Sequence, residues 1–161
     1  MIRAAVAADA AGICSIYNEY IRNTTITFEE APVLAAEMAT RIEDTIGGSL
    51  PWLVEERNGT VVGYCYASKW RARAAYRHSV ETTVYLAPQV FRRGLATGLY
   101  RELLLQLKKS GKHVAIGGIA LPNEASIRLH EKLGFKKVAE FVDVGLKFDR
   151  WINVGYWEVM L

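Results

Sequence analysis

Several common routes to stability and function are closed to this chain by what it lacks. Cysteine occurs only twice in 161 residues, at Cys14 and Cys65. The two lie far apart, each inside an apolar pattern. That excludes a disulfide-stapled scaffold and leaves no closely spaced thiol pair for zinc. Both are expected to be small buried residues in a reducing compartment, and no metal is expected. No apolar run reaches the ~20 residues of a membrane span, and no hydrophobic stretch follows a basic start, so the expectation is a cytoplasmic protein without membrane contact. Net charge is only +3. The local clusters Arg71, Arg73, Arg77 and Arg92, Arg93 do not form the aromatic-basic platform of a nucleic-acid binder. Anionic small molecules suit them at least as well.

What is present describes a globular chain. Apolar residues make up 51% and charged residues 23%, with no repeat, low-complexity stretch or linker, so one domain over 1–161 is expected. A short strand is predicted at 2–6. Asp9 stands as N-cap before a helix whose Ile13, Ile16, Tyr17 and Tyr20 share a face. "RNTTITFEEAP" reads as a loop, and a second helix is predicted from after Pro32 to about Ile46, ended by Gly47 and Gly48. A hairpin follows, with strands 52–56 and 60–68 about an Asn58-Gly59 turn. In "HSVETTVYL", Val80, Thr82, Val84 and Leu86 alternate onto one face. Leu95, Leu99, Leu103 and Leu107 mark a helix on a sheet. "HVAIGGIAL" is a buried strand, Asn123 caps the helix "EASIRLHEKL", and Gly134 fits its C-terminal cap. The tail from Lys137 alternates into two strands around Asp149-Arg150. The fold class is α/β of the α+β kind.

Gly94, Ala96 and Gly98 place small residues where a strand feeds a helix. Two readings stand: tight helix–strand packing, or an anion site in which bare backbone lets phosphate reach the unpaired N–H groups of the first helical turn. GxxxxGK[ST] is absent, and "GLATG" is not the GxGxxG of a dinucleotide fold.

"APQVFRRGLATGLY" resembles the acetyl-CoA loop of the GNAT superfamily, Arg/Gln-x-x-Gly-x-Gly/Ala, with Phe91 departing at the Arg/Gln position. "NEASIRLHEKLGF" resembles that superfamily's later helix. Together with "YNEYIRNTTITFEE", "GYCYASKWRARAAYRHSVETTVYL" and "VGLKFDRW", these blocks are similar to the phosphinothricin and methionine sulfoximine N-acetyltransferase family, in order from about Ile2 to Trp157.

The resemblance implies a GNAT fold, a twisted mixed and mostly antiparallel sheet flanked by helices. It also implies acetyl transfer from acetyl-CoA to the amino group of a small amino acid analogue. Glu81, otherwise an acid at a wet strand end, becomes the candidate general base. His130, otherwise an ordinary helical histidine, becomes a candidate for proton handling. The coenzyme is expected on Val84, Tyr85 and Leu86, on the loop Arg92, Arg93, Gly94, Leu95, Ala96 and Thr97, and on Asn123, which reads equally well as a plain N-cap. Arg71 and Arg73 are expected to hold the acceptor's acidic end, their forked guanidinium groups suiting carboxylate or phosphinate. Thr83, Phe28 and Glu29 are further substrate candidates. Lys147, Phe148 and Trp151 would line the site or a homodimer contact, and Asp149 departs from the small residue expected there. An acetyltransferase for a peptide N-terminus or another amine, and a non-catalytic acyl-CoA-binding module, are the alternative readings.

Overall fold

A computed structural model describes residues 1–90 and 94–161; the expectations for Phe91, Arg92 and Arg93 fall outside the described residues. The chain runs β1 (Ile2–Ala4), α1 (Ala10–Asn23), α2 (Ala35–Gly47), β2 (Trp52–Arg57), β3 (Thr60–Lys69), β4 (Ser79–Leu86), α3 (Leu95–Lys109), β5 (Val114–Ala120), α4 (Glu124–Lys132), β6 (Lys136–Lys147) and β7 (Arg150–Met160). One seven-stranded sheet has the order β1-β2-β3-β4-β5-β7-β6. Only β4 and β5 pair in parallel, and α3 makes the crossover between them.

Alternation along the strands assigns their side chains to two cores. Trp52, Val54 and Tyr64 face α1 and α2, where Ile13, Ile16, Met38 and Ile42 meet them. Leu53, Cys65, Ala67 and Val80 face α3, whose Leu95, Leu99, Leu103 and Leu107 are all buried as their four-residue spacing predicts. The β2–β3 turn has Asn58 and Gly59 at φ 50° and 74°, the left-handed pair that a two-residue hairpin requires.

Two local expectations are corrected. Asp9 does not cap α1: it adopts helical dihedrals itself, accepts from the Val6 N–H at 2.9 Å, and forms an ion pair with Arg3 at 2.7 Å. A charged partner within reach drew its carboxylate from the helix end. The last turn centres on Phe148 and Asp149, at φ 52° and 56°, one residue earlier than expected. Asp tolerates this left-handed region better than most side chains, which rationalises its standing where a smaller residue was expected.

β6 is an edge strand, and it carries the largest exposed apolar set. Val138, Phe141, Val142, Val144 and Leu146 are open to solvent, as are Phe148 and Trp151 beside them. No helix among the described residues is long and apolar enough to cross a membrane.

Candidate active site

The site begins where the sheet comes apart. β4 and β5 pair only at Ser79–Val114, Val80–Ala115 and Glu81–Ile116. Beyond that point Thr82–Leu86 and 117–120 diverge. The Thr82 hydroxyl lies 3.3 Å from the Ile116 carbonyl, at the last rung. The gap opens a cavity of about 260 Å³ lined by Glu81, Thr82, Thr83, Val84 and Tyr85 of β4 and by 118–120 of β5. Tyr17, Thr27 and Phe28 close it on the α1–α2 side, and Asn123, Ser126 and His130 on the α4 side. Since successive strand residues face opposite ways, Glu81, Thr83 and Tyr85 look toward α1 and α2 while Thr82 looks toward α3 and α4. The cavity therefore runs through the sheet from one face to the other.

Glu81 is half-buried, and burial alone raises its carboxyl above the ordinary range, with no described cation offsetting the effect. A Cβ on Gly118 would sit 3.2 Å from its Oε1 and 3.1 Å from the Tyr156 ring, so glycine leaves the carboxylate open on that side. Carboxylate, Tyr156 and the bare Gly118 backbone converge on one spot. An acid so placed takes up a proton more readily than one in water, as a general base working near neutrality must.

His130 is almost wholly buried, and desolvation pushes its imidazole below the usual histidine value. Nδ1 stands 2.8 Å from the Ser126 carbonyl, which can only accept, so Nδ1 carries the proton. Nε2 is then an acceptor and takes the Tyr100 hydroxyl proton at 2.9 Å, while Tyr100 and Thr82 are joined at 2.6 Å. Both ring nitrogens are thus engaged inside the fold, leaving Ser126 and the imidazole face on the cavity wall. Asn123 caps α4, its Oδ1 accepting from the Ser126 N–H at 3.1 Å.

Beside the splay, α3 begins at Leu95 behind Gly94, whose φ of 71° needs a residue without a Cβ. The first bond back onto this turn is Gly98 N–H to the Gly94 carbonyl, at 3.2 Å. Among the described residues, the N–H groups of Leu95, Ala96 and Thr97 therefore have no acceptor. Leu95 buries its side chain in the core, so only its backbone can serve a ligand. Bare helix N–H groups next to an opened strand pair fit a long, diphosphate-bearing thioester such as acetyl-CoA.

The other predicted contacts are dispersed. Thr83 lies on the cavity wall, paired across the strands with Tyr66, and Phe28 is on the wall opposite. The Glu29 carboxylate is held by Arg41 of α2 at 2.6 and 3.0 Å, and Arg41 keeps it below the usual carboxylate range. Arg71 and Arg73 are exposed and off the cavity wall. Arg71 stacks 5.3 Å over Trp70, whose ring meets Tyr156 edge-on at 5.6 Å. Leu86 turns its side chain into the core, and its carbonyl accepts from Tyr20 at 2.7 Å. A second cavity of about 290 Å³ lies under α2 between Trp52, Tyr64 and Tyr66 and shares the Tyr17 and Tyr66 walls with the first.

Tyr100, Tyr156, Thr82 and Ser126 are the site residues that sequence reasoning did not single out. Tyr100 follows the leucine series by one residue and reads as more core. Tyr156 sits in an alternating strand 75 residues after Glu81. Nothing local marks either one.

Comparison with known proteins agrees with this geometry. Residues 2–154 match the family model described as an acetyltransferase (GNAT) domain. The chain is 40% identical over 157 residues to a phosphinothricin N-acetyltransferase of Streptomyces viridochromogenes, covering 98% of this chain and 85% of that one. It is 36% identical over 160 residues to an L-methionine sulfoximine/L-methionine sulfone acetyltransferase of Salmonella typhimurium, with 99% and 94% covered. Among solved structures, a GNAT superfamily phosphinothricin acetyltransferase from Sinorhizobium meliloti in complex with acetyl-CoA superposes with a TM-score of 0.96 at 36% identity, over 100% of this chain and 88% of that one. The splayed strands, the bare first turn of α3 and the near-full-length matches lead to one conclusion: this chain belongs to the GNAT family of acetyltransferases.

Proposed function

We propose that this protein, as one domain spanning 1–161, transfers the acetyl group of acetyl-CoA to the amino group of a small amino acid analogue of the phosphinothricin or methionine sulfoximine type. One observation carries the reading: Glu81 is a half-buried carboxylate, with no counter-charge among the described residues, at the mouth of the β4–β5 opening. The Glu81 carboxylate removes the ammonium proton, directly or through a water. The freed nitrogen lone pair forms the new bond to the thioester carbonyl carbon, and the carbon–sulfur bond breaks with its electrons on sulfur. The proton the nitrogen sheds on becoming an amide goes to that sulfur, directly or through solvent, giving the free thiol. The N–H groups of Val84 and Leu86, which point to the opened edge of β4 while that of Tyr85 pairs with β3, are suited to polarise that carbonyl. The first turn of α3 and Asn123 are suited to the diphosphate and the arm that follows it. Arg71, stacked on Trp70 whose ring meets Tyr156, and the nearby Arg73 lie outside the cavity wall, and their charge favours an acceptor bearing an acid group over a polyamine.

The direct test is release of free thiol from acetyl-CoA by purified protein offered phosphinothricin, methionine sulfoximine, a polyamine and a panel of peptide N-termini. Turnover is expected with the two amino acid analogues and not with the polyamine. Thiol release confined to peptides would move the acceptor assignment. Coenzyme binding by calorimetry with no turnover for any amine would make the protein a binding module.

We further propose a homodimer formed through β6 and β7. Phe141, Val142, Val144 and Leu146 of the edge strand, with Trp151 beyond the turn, give both faces of this hairpin an apolar character that a solvated edge avoids. Sedimentation is expected to give a dimer, and Val142→Asp a monomer. The unpaired buried cysteines, Cys14 and Cys65, suit a reducing cytoplasm.

A further inference from the structure

The segment between α1 and α2, residues 24–34, supplies Thr27 and Phe28 to the cavity wall. Neighbouring helices hold part of it. Asn18 of α1 both donates to the Val33 carbonyl at 3.0 Å and accepts from the Val33 N–H at 2.8 Å. The hydroxyls of Tyr17 and Thr27 are 2.7 Å apart, and Arg41 of α2 grips Glu29. The remaining hold comes from the far end of the chain. Lys147, the last residue of β6, is 1% exposed, and its Nζ donates to the Thr27 carbonyl at 2.8 Å, across 120 residues of sequence. Two residues earlier, the Phe28 ring lies so close over Gly145 that no Cβ fits there.

An ammonium group withdrawn from water is costly unless it is paired. Glu30, and after it Glu29, attract Lys147 from a distance, but neither is hydrogen-bonded to it, and Glu29 gives its hydrogen bonds to Arg41. The one described hydrogen bond of the lysine goes to a backbone carbonyl in the loop that walls the site; its Nζ otherwise lies 5.1 Å from the centre of the adjacent Phe148 ring. A surface hairpin needs no buried lysine for its own stability, and the acetyl-transfer chemistry above does not use this one.

We propose that Lys147 is a positioning residue: with Gly145 it clamps residues 24–34 onto the β6–β7 hairpin and so sets Thr27 and Phe28 as the acceptor side of the cavity. The clamp acts through the loop and leaves the coenzyme side, on β4, α3 and α4, untouched. The assignment of that wall to the acceptor rests on the function proposed above; the clamp itself does not.

Three variants and two readouts test it. Lys147→Met keeps the length and removes the charge, Lys147→Arg keeps the charge, and Gly145→Ala pushes Phe28 out from the other side without touching the lysine. Hydrogen–deuterium exchange of the ligand-free protein is expected to speed up in 24–34 for Lys147→Met and Gly145→Ala, with β4 and α3 unchanged. In steady-state kinetics both are expected to raise the acceptor KM by about tenfold, the worth of one charge-assisted hydrogen bond, while the acetyl-CoA KM and kcat stay near wild type. Lys147→Arg is expected to recover much of the loss. Unaltered exchange in 24–34 for both disruptive variants overturns the clamp. An equal rise in both KM values overturns the positioning role. Should the wild-type protein acetylate none of the amino acids offered, the acceptor reading falls, and the exchange experiment still decides the clamp.

Discussion

Glu81→Gln is expected to lower kcat/KM for the amine by about 10²–10⁴-fold, the range for loss of a general base, with the acetyl-CoA dissociation constant unchanged. Glutamine keeps the size of the side chain and loses only its ability to take a proton. The wild-type pH profile supplies an independent check. Burial raises the Glu81 carboxyl above the usual carboxylate range, and the base works only when ionised. Activity should therefore rise with pH through that raised value, on an acid limb that the glutamine variant lacks.

Stability should move the opposite way. A raised carboxyl pKa means that the folded state holds the proton more tightly than the unfolded one. The contribution of Glu81 to stability is therefore greatest at low pH and declines as pH climbs through the folded-state value. Above it the native protein carries a partly desolvated charge with no described cation beside it, so Glu81→Gln should unfold at a higher urea concentration than wild type at pH 8. A variant that is less active and no more stable would mean that the carboxylate has a structural partner and is not a poised base.

Gly117→Ala should be the most damaging single methyl group in the site. A Cβ there would fall on the His130 imidazole, 2.6 Å from Cδ2 and closer still to Nε2. The ring cannot swing away without giving up the Ser126 carbonyl at 2.8 Å or the Tyr100 hydroxyl at 2.9 Å. Overpacking of this kind costs about 1–3 kcal/mol, and each kcal/mol lowers Tm by about 2–4 °C in a domain of this size. Activity should fall further than stability alone explains, because α4 carries Asn123 and Ser126 along with His130 onto the cavity wall. Gly47→Ala, at a helix end with open space around the new Cβ, should by contrast be neutral or slightly stabilising. Equal melting temperatures for Gly117→Ala and wild type would show that the imidazole can yield.

What was readable in advance follows from the range of the interactions. The leucines of α3, the Asn58-Gly59 turn and the capping by Asn123 depend on residues within a few positions of one another, and they stand as their local patterns indicate. Glu81 was legible as a candidate base through the resemblance alone; by itself it reads as an acid on the non-apolar face of its strand. Its family resemblance and the near-full-length relatives placed the chain among acetyltransferases by the same local strings. Asp9 misled because its partner, Arg3, lies in β1 rather than in the helix it precedes. Tyr100 and Tyr156 were invisible for a related reason, each mattering through a residue met only after the sheet has assembled; Lys147 was singled out by resemblance, but its hold on the Thr27 carbonyl was not. The capture of Glu29 by Arg41 is of this kind too, since a loop acid gives no sign of which helix will claim it.

Three rungs join β4 to β5, whereas seven join β5 to β7. Mechanically, the sheet is two panels sharing a short hinge, with an unlaced seam below it. A molecule threaded into that seam, bonded to amides on one side and packed against α4 on the other, supplies lacing the polypeptide leaves out. Its binding energy then counts toward holding the panels together as well as toward occupancy, so the coenzyme stiffens the enzyme that consumes it.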